Sequence, residues 1–76
     1  MKRKQTQFEV TIDRHHPSFA SISYLREKDA LVYARICSAR FPQHTFTVTR
    51  HQYSTATIRY VVYDTSVLEV VYKDAE

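Results

Sequence analysis

Seventy-six residues carrying a formal net charge of +3, one cysteine and no glycine allow one small domain, which buries only ~60% of the surface its unfolded chain exposes. The lone cysteine rules out an internal disulfide and fits a reducing, cytoplasmic compartment. The lack of glycine excludes the Walker loop and the dinucleotide fingerprint, while 43% hydrophobic residues, six Tyr and four Phe among them, supply a core and exclude a disordered chain.

In chain order, Lys2, Arg3 and Lys4 form a short basic tail over residues 1–5. A basic start followed by Gln5, Thr6, Gln7, Glu9 and Asp13 lacks the apolar stretch of a signal peptide. No run approaches the ~18 apolar residues of a membrane span, so a soluble, cytoplasmic chain with no membrane partner is expected. The domain is expected over residues 6–73, with an acidic tail at 74–76.

Phe8, Val10 and Ile12 alternate with Gln7, Glu9, Thr11 and Asp13, the pattern of a half-buried strand. Pro17 interrupts it, and Ala20, Ile22 and Tyr24 alternate with Ser21 and Ser23 as a second strand. From about Glu27 to Phe41 the period becomes helical. Ala30, Ala34, Cys37 and Phe41 share a stripe with Tyr33 beside it, and Lys28, Arg35 and Ser38 are placed opposite. Val32 and Ile36 fall outside that stripe. Glu27 and Asp29 complement the positive helix end, Arg40 and His44 the negative one, and Pro42 ends the helix. Phe46 and Val48 alternate with Thr45, Thr47 and Thr49. Ile58, Tyr60 and Val62 alternate with Thr57, Arg59, Val61 and Tyr63. A turn at Asp64, Thr65 and Ser66 leads to a last strand from Val67 to Tyr72. With no glycine available, a turn that needs positive φ falls to a residue such as Asp64. The expected fold class is α+β in ββαβββ order, with one helix on one face of a mainly antiparallel sheet.

One helix covers one face. The C-terminal strands are apolar on both, presenting Val61 and Tyr63 with either Val67 and Val71 or Leu68 and Tyr72. Strands apolar on both sides are usually covered on both sides, which points to a partner protein or a second copy of the chain.

Charge is unevenly spread. From Ala30 to Tyr63 there is no acid, while Arg35, Arg40, Arg50 and Arg59 lie within that stretch. Such a segment attracts an acidic partner. The four histidines, His15, His16, His44 and His51, show no metal-ligand spacing with Cys37, so no metal or cofactor is expected. Cys37 on the apolar stripe reads as an inert core thiol. Glu9 and Asp13 read as solvated residues rather than an acid–base pair, and no nucleophile elbow exists without glycine. No enzyme and no small-molecule substrate is expected.

The leading expectation is a protein-binding module, as a homodimer or on a larger partner, with Val61, Tyr63 and Val71 in the apolar contact and Arg50 and Arg59 steering. The alternative is a nucleic-acid-binding module using Lys2, Arg3, Lys4, Arg35 and Arg40. In size and single-helix-on-sheet layout, with a helix entered through Lys28-Asp29-Ala30-Leu31-Val32-Tyr33, the chain is similar to small accessory proteins of phages and mobile elements, anti-CRISPR inhibitors among them. The resemblance implies an inhibitor that blocks a larger machine by contact. Most such inhibitors are acidic or neutral and this chain is basic, which favours an acidic protein surface over mimicry of DNA.

Overall fold

A computed structural model describes residues 6–14, 16–52 and 55–70. The elements follow the expected order: β1 (Gln7–Ile12), β2 (Ile22–Tyr24), α1 (Glu27–Arg40), β3 (Thr45–Gln52), β4 (Thr55–Tyr63) and β5 (Ser66–Glu69). The five strands form one antiparallel sheet in the order β2-β1-β3-β4-β5. Because β2 and β3 both run antiparallel to β1, they run parallel to each other, and α1 is the crossover that joins them. The chain is thus an α+β domain with its helix on one side of the sheet.

The core lies between α1 and the centre of the sheet. Val10, Phe46, Val48 and Val62 are fully buried against Ala30, Ala34 and Cys37. The small helix residues let α1 approach closely, so Phe46 and three valines fill the interior. Phe19, Tyr24, Tyr33 and Phe41 pack around that centre, with Phe19 5.4 Å from the Phe46 ring and 6.2 Å from Tyr33, centroid to centroid. The helix begins after Arg26, which provides no side-chain cap. It ends where the Phe41 N–H donates to the Cys37 carbonyl, 2.8 Å away, and Pro42 prevents continuation. No helix among the described residues is long and apolar enough to cross a membrane.

Three details depart from the simple alternation read in the sequence. Two strands differ in extent: β2 is only three residues long and does not include Ala20, and β5 begins at Ser66, which was expected in the turn, and ends at Glu69 rather than running from Val67 to Tyr72, with Tyr72 outside the described residues. Ser38, expected on the outer side of the helix, is completely buried. Its position lies one residue beyond Cys37, on the edge of the helix that faces the β4–β5 turn, where it accepts a hydrogen bond from that turn. The third departure is a β-bulge in β4. Val48 pairs with Tyr60 but Thr49 pairs with Ile58, so Arg59 is the extra residue. A bulge breaks the two-residue period. As a result Ile58 lies opposite Thr49 on the face away from α1, and Thr57 is buried opposite Arg50.

Candidate functional site

The C-terminal hairpin is where the sheet remains uncovered. The two residues joining β4 to β5, Asp64 and Thr65, both have positive φ, at 52° and 60°. Two central residues with positive φ make the tight turn whose twist suits a hairpin. Asp tolerates this region; a β-branched Thr does so at a cost. The Thr65 N–H donates to the buried Ser38 hydroxyl oxygen at 2.8 Å, which holds the turn against the end of α1. A two-residue turn fixes the register: Tyr63 pairs with Ser66, Val62 with Val67 and Val61 with Leu68.

Paired residues share a face, so Val62 and Val67 lie on the α1 side, and Val61, Tyr63 and Leu68 on the other. Helix α1 lies chiefly over β1 and β3, reaching β2 and β4. On the open face Leu68 is 63% and Tyr63 52% exposed, with Val61 half-buried beside them. Ile58, brought over by the bulge, is half-buried further along β4. Strand β5 is also an edge. The Val70 N–H bonds inward to the Arg59 carbonyl at 2.7 Å, and by antiparallel alternation the backbone groups of Val67 and Glu69 point outward.

The rest of the open face is mainly polar, with the small Ala56 opposite His51. Thr11 faces Thr47, and Glu9 faces Thr49. Glu9 is not merely solvated, because its Oε1 lies 2.9 Å from His51 Nε2. Asp13 Oδ1 lies 2.9 Å from His44 Nδ1 in the same way. That hydrogen bond holds the Asp13 carboxyl below its ordinary value. Both pairs link the β1 end of the sheet to the segment carrying β3, so these carboxylates, Asp13 exposed and Glu9 half-buried, have a structural role besides being solvated. The His16 ring lies 4.6 Å from that of Phe41, centroid to centroid and tilted, and its Nδ1 accepts the Ser18 N–H. Among the described residues no three His, Cys, Asp or Glu side chains gather as metal ligands.

Val61 and Tyr63 stand together as expected, two residues apart on one face. Arg50 and Arg59 do not join them. Arg50 pairs with Phe8 on the α1 side, and the bulge turns Arg59 toward α1, where its Nε donates to Glu27 Oε2 at 3.0 Å. That bond also raises the Arg59 pKa. Arg35 and Arg40 are exposed on the outside of α1. Val71, Lys2, Arg3 and Lys4 lie outside the described residues. Leu68, which the sequence reading held only as an alternative to Val67, is the residue that the hairpin register sets beside Val61. The turn explains the difference: the sequence suggests three residues, Asp64, Thr65 and Ser66, whereas the structure uses only Asp64 and Thr65 and pairs Tyr63 with Ser66, a one-residue shift that exchanges the faces of β5. Cys37 is buried, and burial pushes its thiol pKa up, as it does for the neighbouring Tyr33 hydroxyl.

Fold and surface together define a small α+β domain with an apolar patch at one end of its open face. No family model, no curated protein and no solved structure matches the chain.

Proposed function

We propose that this chain is a protein-binding module with no catalysis of its own, which inhibits or modulates a larger partner through the open face of β4 and β5. The observation that carries this reading is the joint exposure of Tyr63 and Leu68 beside Val61, on a hairpin whose β4 strand sends Val62 into the core on its other face. Exposed aromatic and aliphatic side chains over a flat sheet suit the desolvated centre of an interface, and tyrosine is among the residues most enriched there. The neighbouring edge of β5 offers backbone donors and acceptors to an added strand. A net charge of +3 favours a partner with an acidic surface. A contact inhibitor of the phage and mobile-element kind fits the same layout.

The test is recovery of the partner from nuclease-treated lysate with wild-type chain and with Tyr63→Asp, each variant first checked for native circular dichroism. The reading expects a defined protein, or a second copy of the chain, that Tyr63→Asp fails to retain. Equal recovery by the two chains, or nucleic acid in place of protein, contradicts it.

A further inference from the structure

The outer surface of α1 reverses the usual arrangement of a surface helix, in which the side away from the core is polar. Ala30, Ala34, Cys37 and Ser38 face the sheet. At 3.6 residues per turn, the line diametrically opposite runs through Val32 and Ile36, with Ala39 beside them. Val32 is 52% and Ile36 53% exposed. These side chains stand at i and i+4, one above the other, where a helical partner would meet them.

The borders of this stripe are charged, and mainly of one sign. Lys28 and Arg35 line one flank, Asp29 and Arg40 the other, all four exposed. None of the three cations is in an ion pair among the described residues. The i±4 neighbours of Lys28, Arg35 and Arg40 include no acid that could neutralise them: Val32 for Lys28, Leu31 and Ala39 for Arg35, and Ile36 for Arg40. An unpaired basic border around an apolar line is complementary to a segment carrying apolar residues between carboxylates.

We infer that the outer face of α1 is a second docking surface, separate from the β4–β5 patch, and that it takes an acidic amphipathic helix of a partner protein. The apolar residues of that helix lie on Val32 and Ile36, and its carboxylates meet Lys28, Arg35 and Arg40. The inference does not rest on the open face, because α1 and that face lie on opposite sides of the sheet.

The experiment is selection from a display library of random peptides of about 16 residues, enough for roughly four helical turns. The whole chain is immobilised, and a Val32→Ser/Ile36→Ser double variant serves for counter-selection. Both substitutions are at exposed positions, and circular dichroism confirms the fold of each protein used. Enriched peptides should be rich in Asp and Glu with apolar residues at i and i+4. Their affinity should fall by roughly tenfold or more for Arg35→Glu and be unchanged for Tyr63→Asp. Three results overturn the inference: no enrichment over the counter-selected background, enriched peptides without an acidic excess, or affinity insensitive to Arg35→Glu. A DNA duplex or phosphatidylglycerol vesicles that bind the wild-type chain and lose binding in the double variant would also overturn it, in favour of a polyanion.

Discussion

The backbone N–H of Thr65 donates to Ser38 Oγ over 2.8 Å, tying the two-residue β4–β5 turn to the last turn of the helix. Ser38 is completely buried and Thr65 sits at φ 60°, so the bond secures a turn that its own sequence does not favour. Ser38→Ala removes the acceptor, at a cost of about 1 kcal/mol for a partly buried bond. The better helix propensity of alanine returns roughly 0.5 kcal/mol of that. The net loss should lower the melting temperature by ~2–4 °C in a chain of this size. No change in thermal unfolding would show that the bond does not hold the turn.

Thr65→Gly tests the same turn from the other side. Glycine takes positive φ without the Cβ clash that costs an L-residue ~1–2 kcal/mol, and its greater unfolded-state entropy offsets part of that gain. The expected result is a stabilisation of about 0.5–1 kcal/mol in urea unfolding, with an unchanged slope.

Arg59 and Glu27 connect the bulge in β4 to the first turn of α1. Both side chains are partly exposed, so solvent screening keeps the pair weak. A double-mutant cycle on Glu27→Gln and Arg59→Gln should give a coupling of about 0.5–1 kcal/mol that shrinks at high salt. Zero coupling at low salt would mean that the bulge is held by packing alone.

Asp13 is held below its ordinary value of 3.8, chiefly by the hydrogen bond from His44. A depressed carboxyl pKa contributes stability that is present above the unfolded value and lost as pH falls through the lower folded value. Asp13→Asn should therefore flatten the fall in stability below about pH 4. The measurement is urea unfolding between neutral and acid pH, and parallel curves for the two proteins would contradict the role given to Asp13.

Cys37 is buried and its thiol pKa is raised by burial. Reaction with a thiol reagent at mildly alkaline pH should be slower than in the denatured chain by on the order of a hundredfold or more, since it requires opening of the helix–sheet contact. Comparable rates in native and denatured chains would place Cys37 at the surface.

Much of this architecture is legible in the sequence because the two periods are clean. Ala30, Ala34 and Cys37 fall on one stripe and are buried, while Val32 and Ile36 fall outside it and are exposed. Asp64 was the natural residue for a positive-φ turn in a chain without glycine, and it adopts φ 52°. The errors arise where a local pattern is overruled by a distant contact. Ser38 is buried because a turn almost thirty residues later uses it as an acceptor. Ile58 changes face because the bulge at Arg59 breaks a period that the sequence alone presents as regular. The pairing of Glu9 with His51 and of Asp13 with His44 depends on the β1–β3 register, which no single-strand pattern contains. For the candidate surface, Val61 and Tyr63 were readable from alternation. Leu68 needed the hairpin register, and the separation of Arg50 and Arg59 from the patch needed the full sheet.

The central claim, that the open face of β4 and β5 is the working surface, is tested most directly by calorimetric titration of the recovered partner into wild-type chain and into Leu68→Asp. Leu68 is 63% exposed, so the substitution leaves the core intact and places a charge in the middle of the proposed contact. The account predicts a loss of affinity of roughly a hundredfold, about 2.7 kcal/mol, as expected for a residue at the centre of an interface. An affinity within about a factor of two of wild type, well under 1 kcal/mol, would contradict it.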